Sequence, residues 1–207
     1  MKYLLTVLSS PRPVYRERME ASLHFLDPQP AEIFVHEDTA REGMCAAHAH
    51  CWRAAAECDY EWVFHIEEDQ VLLQPINLWD VRHVLNEEKH LAQMALIRCP
   101  WGQEIEHGGY IPQFPGWYER KTATYLWSDA GGELNWIETT RNWATSPALF
   151  LTDLTREFPW DSKPGCETEI GPRIIERYPD AKFGLWGGGA PWCAHIGVER
   201  AKGSHGY

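Results

Sequence analysis

The chain has 207 residues, of which 44% are hydrophobic and 24% charged, the balance of a protein with one sizeable core. Thirty acidic residues against nineteen basic ones give a net charge of −11. This charge argues against a general surface for nucleic acids or other polyanions, because such surfaces depend on clustered Lys and Arg. It leaves room for one local pocket that binds a diphosphate.

Eleven tryptophans indicate an aromatic-rich core or flat surfaces that stack on sugar or base rings. The apolar run at residues 3–8 is too short for a signal peptide and predicts the first strand instead. No apolar stretch approaches the ~18–20 residues that span a bilayer.

The six cysteines show no Cys-x-x-Cys pair. Cys45, Cys51 and Cys58 recur with His48 and His50 in a predicted helix, which raises the possibility of a zinc site. Structural zinc sites usually draw tighter pairs from two segments, so we interpret these cysteines as reduced, mostly buried thiols. The two histidines are then assigned to the surface and core of the helix. Reduced thiols predict a cytoplasmic location.

The first 98 residues alternate between predicted strands and helices. Strands are predicted at 3–8, 31–35, 62–66 and 91–98, and helices at 14–26, 43–58 and 77–86. Strand–helix alternation with short connections is typical of right-handed βαβ units. The sequence therefore predicts an α/β fold with a mostly parallel central sheet flanked by helices.

The second half of the chain is less regular. Residues 99–143 are rich in Gly, Pro and Trp, which predicts short strands and loops that contact a substrate, or alternatively a tryptophan packing layer. A strand at 146–152, a helix at 165–178 and a strand at 182–186 follow. We find no linker able to separate two domains.

Three consecutive carboxylates, Glu67-Glu68-Asp69, follow the predicted buried strand at 62–66. Adjacent acids repel one another unless solvent or a cation relieves the repulsion. Ligands of α/β proteins gather outside the carboxyl ends of strands, so a divalent metal is one explanation and a solvated acidic turn is the other.

Other polar residues stand at equivalent places. The first strand is followed by Ser9 and Arg12, and the second by Glu37 and Asp38. The carboxyl ends of parallel strands meet at one edge of a sheet, so these side chains are expected near the three acids.

In this order the motifs resemble those of the GT-A glycosyltransferases, which transfer sugars from nucleotide-sugar donors. Glu67-Glu68-Asp69 stands at the position of the family's DxD motif, with Glu in first place. The run Gly165-Cys166-Glu167-Thr168-Glu169-Ile170 is similar to the family's acidic helix, with Cys166 replacing the usual first acid. His195 matches a late histidine of many members. The compact layout is similar to that of small bacterial or phage-encoded members.

The resemblance implies one Rossmann-like GT-A domain, in which residues 1–98 bind the nucleotide-sugar and residues 99–207 bind the acceptor and end in a mobile tail. It implies Mn²⁺ or Mg²⁺ held by Asp69 and His195. Glu167 is the implied catalytic base, with Glu169 in reserve. The implied donor contacts come from Ser9, Arg12, Glu37, Asp38, Glu67, Glu68, Arg200 and Lys202, the last two on a tail that closes over the diphosphate.

These implications predict a metal-dependent, hexosyltransferase-like enzyme that moves a sugar from a nucleotide-diphosphate-sugar, with UDP favoured, to an acceptor hydroxyl. Inversion is expected if Glu167 takes the acceptor's proton, and retention stays open if Glu167 only hydrogen-bonds the acceptor. Nothing in the sequence distinguishes a glycan, a protein, a lipid or a modified nucleic-acid base as the acceptor.

Two other classes of protein stay open. A non-catalytic carbohydrate- or nucleotide-binding module would use the Trp-rich stretch without turnover. A nucleotidyltransferase or metal-dependent hydrolase would use a similar sheet, although the loop Ser9-Ser10-Pro11-Arg12-Pro13 lacks the glycines expected of a nucleotidyltransferase. The candidate residues also have ordinary structural explanations, namely a helix start for Glu167 and Glu169, a core role for His195, a turn for Glu37 and Asp38, and tail solubility for Arg200 and Lys202.

Overall fold

The computed structural model describes residues 1–98, 115–124, 133–140, 147–162, 166–187 and 191–197. The strands are β1 Tyr3–Ser9, β2 Leu26–Asp27, β3 Glu32–Glu37, β4 Trp62–Glu67, β5 Gln70–Leu72, β6 Ile76–Asn77, β7 Leu91–Leu96, β8 Tyr118–Thr124, β9 Glu133–Thr139, β10 Ala148–Leu151, β11 Lys182–Trp186 and β12 Cys193–His195. The helices are α1 Pro13–Ser22, α2 Met44–Glu57, α3 Leu78–Glu87, α4 Thr152–Glu157 and α5 Cys166–Arg177.

Eight of these strands form one mixed sheet in the order β3-β1-β4-β10-β7-β11-β9-β8. The pairs β3–β1, β1–β4 and β7–β11 are parallel. Strand β10 is antiparallel to both of its neighbours, and β9 is antiparallel to β11 and β8. Among these eight strands, β10 and β9 therefore run against the other six, which confirms the predicted mostly parallel α/β sheet.

Strand β1 is buried along its whole length, and so are residues 62–66 of β4. Continuously apolar strands of this kind form the centre of a sheet that is covered on both faces. Neighbouring side chains point to opposite faces, so Leu5 packs with Met19 of α1 while Leu4 packs with Trp52 of α2. The helices thus hold β1 and β4 rigidly, with their carboxyl ends at the same edge.

The structure differs from the sequence prediction at two helices. The first helix ends at Ser22, and a short 3-10 turn, Leu23–Phe25, replaces its predicted last turn. Helix α4 was not predicted, because a strand was expected to extend to Thr152. Six residues are too few to show a helical period, and the hydroxyl of Thr155, which donates to the Thr152 carbonyl at 2.7 Å, stabilises this short turn only in the folded chain.

Cys45 is in a disulfide bond, whereas Cys51, Cys58 and Cys193 are free. The expectation that Cys45, Cys51 and Cys58 are all reduced was therefore wrong for Cys45. The predicted cytoplasmic location, which depended on that expectation, loses this support. In the described ranges no helix has the length and apolar character needed to cross a membrane.

Candidate functional site

The ends of β1, β3 and β4 meet because the register pairs Ser9 with Glu37 and Leu8 with Glu67. A cleft opens beside these strand ends. Its polar lining is Ser9, Ser10, Asp38, Glu67 and Glu68, and its apolar lining is Leu8, Met44 and Ala47. The parallel register thus brings together four of the donor-binding candidates that follow three separate strands in the sequence.

Asp38 is the acid of the second strand end that faces the cleft. It is 5% exposed, and its backbone N–H donates to the Ser9 carbonyl at 2.7 Å. Its Oδ1 accepts a hydrogen bond from the backbone N–H of Glu42 at 2.8 Å, which orders the loop between β3 and α2. Glu37, the other predicted acid, is exposed at the end of β3 and does not line the cleft.

Glu68 is tied to the loop that follows β1. Its carboxylate accepts hydrogen bonds from the Ser10 backbone at 2.6 Å, from the Ser10 hydroxyl at 2.7 Å and from Arg12 Nε at 2.9 Å. Arg12 Nη2 also forms an ion pair with Glu68 and lies 3.0 Å from Asp69 Oδ2. The repulsion among the acids is thus relieved in part by a guanidinium, where the sequence suggested a metal or solvent.

Burial opposes the positive charge of Arg12, but its hydrogen bonds to Glu68 and Asp69 outweigh burial and raise the pKa of Arg12. The guanidinium therefore stays charged at any physiological pH. Ser10, which the sequence did not single out as a site residue, completes this network; its only sequence signal was its position beside Ser9 at a strand end.

Asp69 and His195 lie side by side although 126 residues separate them. Strand β12 pairs with β5 so that His195 is opposite Gln70, and the Ile196 N–H donates to the Asp69 carbonyl at 2.7 Å. His195 Nε2 is then 3.5 Å from Asp69 Oδ1. Gly197 follows so closely that a Cβ there would overlap Asp69 Oδ2.

The Asp69–His195 pair fits a divalent metal ion. Asp69 is 1% exposed, and within the described residues its Oδ1 has no hydrogen-bond partner. Neighbouring ligands of a six-coordinate ion, each about 2.1 Å from the metal, lie roughly 3 Å apart, close to the 3.5 Å between Oδ1 and Nε2. A carboxylate oxygen with an imidazole nitrogen suits Mn²⁺ well and Mg²⁺ less well.

Two buried histidines lie behind Glu67. His48 Nε2 is 3.9 Å from Glu67 Oε1, and His65 Nδ1 is hydrogen-bonded to the Thr6 hydroxyl at 2.9 Å. Burial lowers the pKa of His48 to about 4 and lowers the pKa of His65 well below its ordinary value. Both rings are therefore neutral at pH 7, so they add no positive charge to the acidic cleft.

The remaining site candidates are not brought to the cleft by the described structure. Glu169 is exposed in the first turn of α5. The side chain of Glu167 and the whole of Arg200 and Lys202 lie outside the described residues. Their roles as catalytic base and diphosphate-binding tail stay predictions.

No protein-family model matches the sequence, and a search of curated proteins found no match. The fold is similar to that of S. aureus TarS, residues 1–349, crystallised with UDP, at a TM-score of 0.60 and 13% identity over 94% of this chain and 60% of that one. The same TarS fragment with UDP-GlcNAc gives a TM-score of 0.57 at 13% identity, over 94% of this chain and 58% of that one.

A longer TarS structure gives a TM-score of 0.60 at 13% identity, over 95% of this chain and 37% of that one. The chain thus spans about three-fifths of the shorter TarS structure and less of the longer one. TarS is a GT-A type glycosyltransferase. The likeness extends over nearly the whole chain, and the chain therefore has a fold of the GT-A type.

Proposed function

We propose that this protein is a metal-dependent glycosyltransferase that moves a sugar from a UDP-sugar to an acceptor hydroxyl. The observation that carries the proposal is the pairing of Asp69 with His195 beside a cleft at the carboxyl ends of β1, β3 and β4. The fold adds support, because the similar TarS structures were crystallised with UDP and UDP-GlcNAc.

The cleft offers contacts of the kind a nucleoside needs. Met44 and Ala47 form an apolar wall against which a base ring can pack, while Ser9 and Asp38 supply hydrogen-bonding groups at its edge. Glu67 is the proposed partner of the ribose. A rigid pocket with an apolar wall and a few fixed polar groups is typical of small-molecule sites.

The charge of the site supports a need for a cation. Asp38, Glu67, Glu68 and Asp69 carry four negative charges, and Arg12 supplies one positive charge among them. A diphosphate entering this field would be repelled without further positive charge. Arg12 holds Asp69 Oδ2 and leaves Oδ1 directed towards His195, where the two residues would bind Mn²⁺ or Mg²⁺.

When bound, such an ion neutralises the charge that grows on the departing diphosphate. Glu167 is the proposed base that takes the proton of the acceptor hydroxyl, with Glu169 in reserve, and this assignment predicts inversion. Arg200 and Lys202 are proposed to cover the diphosphate.

Thermal unfolding with UDP, GDP and their sugar conjugates, each with Mn²⁺ or EDTA, tests the proposal. A ligand at a hundred times its Kd stabilises the fold by roughly 2.7 kcal/mol. We expect a Mn²⁺-dependent rise in Tm with UDP compounds that Asp69→Asn abolishes. The matched control is Asp153→Asn, because the Asp153 side chain is 84% exposed and pairs with Arg156.

Release of UDP from the responding UDP-sugar then separates the classes of protein. Turnover supports a transferase, whereas binding without turnover favours a non-catalytic module. Pyrophosphate release from a nucleoside triphosphate would indicate a nucleotidyltransferase. No response to any nucleotide would contradict the donor site.

A further inference from the structure

A second group of potential metal ligands lies on the β3–α2 side of the cleft and shares no residue with the pair described above. Within the described ranges, His36, Glu42 and His50 form the one group of three or more such side chains whose ligand atoms all lie within 4.8 Å of one another. His36 is in β3, Glu42 is in the loop after it, and His50 is in α2.

The three side chains are already in contact. His50 Nε2 lies 3.3 Å from Glu42 Oε2, and the rings of His36 and His50 are stacked with centroids 4.2 Å apart. His36 Nε2 is buried and has no hydrogen-bond partner in the described part of the chain. A buried nitrogen of this kind is usually paired, and a metal ion would supply the missing partner.

The backbone of the loop that carries Glu42 is fixed by the side chain of Asp38. The Glu42 N–H donates to Asp38 Oδ1 at 2.8 Å, and the flanking Arg41 and Gly43 both have positive φ, at 54° and 94°. The turn therefore fixes the backbone of Glu42, and its carboxylate lies 3.3 Å from His50 Nε2. Because Asp38 lines the cleft, this turn also joins the cluster to the proposed donor site.

Charged and polar neighbours surround His36. Burial lowers the pKa of His36, and the neighbouring His50 lowers it further, while Glu42 and Asp38 act in the opposite direction. The single negative charge of Glu42 partly compensates a divalent ion.

We propose that His36, Glu42 and His50 bind a zinc-type divalent ion at a site separate from Asp69 and His195. Two imidazoles with one carboxylate are typical zinc ligands, whereas Mg²⁺ and Ca²⁺ prefer oxygen donors. Ligand atoms at about 2.0–2.1 Å from a tetrahedral zinc ion lie roughly 3.3 Å from one another. The ligand atoms of the three side chains, which lie within 4.8 Å of one another, must therefore move closer together when zinc binds. The side chains of His50 and Glu42 are 37% and 39% exposed, which gives the His50 ring room to turn out of the stack.

The ion would link β3, the turn and α2, with one coordination position open to water. Bound zinc would then stiffen the wall of the cleft that carries Asp38. An effect of this stiffening on donor binding rests on the proposed function, whereas zinc binding itself does not.

Zinc titration of the untagged, metal-stripped chain tests the site. The measurement uses calorimetry with ZnCl₂ in the Asp69→Asn background, which removes the proposed catalytic ion. Visible d–d absorption of added Co²⁺ gives a second readout that reports imidazole and carboxylate ligation. We expect one zinc ion per chain and an affinity at least tenfold weaker in His50→Gln, with loss of the Co²⁺ bands.

His24→Gln is the matched control, because His24 is exposed and its Nδ1 is hydrogen-bonded to the Ala21 carbonyl of its own turn. It should bind zinc like the parent chain. His50→Gln lies on a partly exposed helix face and should fold normally, which circular dichroism and the Tm in EDTA check. Absence of saturable zinc binding, or equal affinity in His50→Gln and His24→Gln, would overturn the proposal.

Discussion

Ser10 donates two hydrogen bonds to one carboxylate, from its backbone N–H to Glu68 Oε2 at 2.6 Å and from its hydroxyl to Glu68 Oε1 at 2.7 Å. Glu68 is 3% exposed, and Arg12 pairs with it from the same loop. The middle acid of the motif therefore joins the loop after β1 to the end of β4. Its role in the described structure is to hold the cleft together.

Replacement of Glu68 should destabilise the fold. In Glu68→Gln the pairing with Arg12 is weakened, and an NH₂ group that replaces one carboxylate oxygen faces the donors of Ser10. Removing one partner of a buried pair costs 3–5 kcal/mol, and because the Arg12 side chain is 23% exposed we expect about 2 kcal/mol. Urea unfolding followed by tryptophan fluorescence measures the loss.

Glu20→Gln serves as the control for Glu68, because Glu20 forms an exposed i,i+4 pair with Arg16. The free energy of unfolding of Glu20→Gln should stay within about 0.5 kcal/mol of that of the wild type. Equal stability of the two variants would show that the Ser10–Glu68–Arg12 contacts contribute nothing.

Gly197→Ala should damage the proposed metal site without unfolding the chain. An added Cβ would overlap Asp69 Oδ2, which Arg12 holds from the other side, so the carboxylate must turn away from His195. We expect the Mn²⁺-dependent Tm shift with UDP to disappear. Gly116→Ala, where a Cβ meets nothing within 4 Å, should keep the wild-type shift. An unchanged Mn²⁺-dependent Tm shift in Gly197→Ala would show that the orientation of Asp69 does not matter for donor binding.

The neutral histidines behind Glu67 should make stability depend on pH. Because burial lowers the pKa of His48 to about 4, the unfolded chain binds a proton first as the pH falls below about 6.5. The stabilisation by the neutral His48 ring is complete above pH 6.5 and is lost by about pH 4. The difference between the pKa of His48 in the unfolded and the folded chain corresponds to roughly 3 kcal/mol of unfolding free energy. His65, whose pKa is also lowered by burial, adds a loss of the same sign.

Urea unfolding in EDTA between about pH 7 and pH 4.5 tests this dependence. His48→Gln should flatten the slope, because it removes one titrating group. His24→Gln should keep the wild-type slope, since His24 is exposed. A wild-type slope in His48→Gln would contradict the assignment.

Another buried carboxylate lies on the far side of the sheet, away from the cleft strands. Glu138 in β9 is 2% exposed and accepts hydrogen bonds from Lys182 at 2.7 Å, Trp136 at 3.0 Å and His90 at 3.0 Å. Burial opposes its charge, but these hydrogen bonds outweigh burial and lower the pKa of Glu138. The stabilisation by ionised Glu138 is therefore present at neutral pH. It is lost as the pH falls below about 4.5 and then through the lowered pKa of Glu138.

Glu138→Gln should cost about 2–3 kcal/mol at pH 7, because Lys182 and His90 lose their charged partner. The loss should shrink in acid, where the wild-type carboxylate is itself protonated. Urea unfolding at both pH values measures it. The control is Glu119→Gln, an exposed partner of the same Lys182, which should change little. A loss independent of pH would contradict the ionic explanation.

The elements that the sequence predicted well are those with a local signal. The buried strands β1 and β4 were placed within about a residue of their observed ends, because each is an unbroken apolar run bounded by polar residues. Helices α2 and α3 likewise show their apolar period. The edge where the acids meet followed from the parallel order of these strands.

Contacts between side chains that are distant in sequence could not be predicted in the same way. The contact of Arg12 with Glu68 joins residues 56 apart, and nothing local identifies one arginine as the partner of those acids. The His36–Glu42–His50 cluster was missed because its spacings of six and eight residues match no familiar metal motif, and His50 was assigned to helix surface or core. The proximity of Asp69 to His195 was expected only through the family resemblance.

The antiparallel strand β10 has a consequence for how the sheet is assembled. It lies between β4 and β7, so the backbone edges of both strands acquire their hydrogen bonds from residues 148–151. During synthesis the edges of β4 and β7 must stay unpaired until that segment has left the ribosome. Exposed apolar strand edges are templates for aggregation, and pairings between distant segments slow folding. The nascent chain should therefore be most vulnerable to misassociation, and most dependent on chaperones, after β7 has left the ribosome and before residues 148–151 have done so.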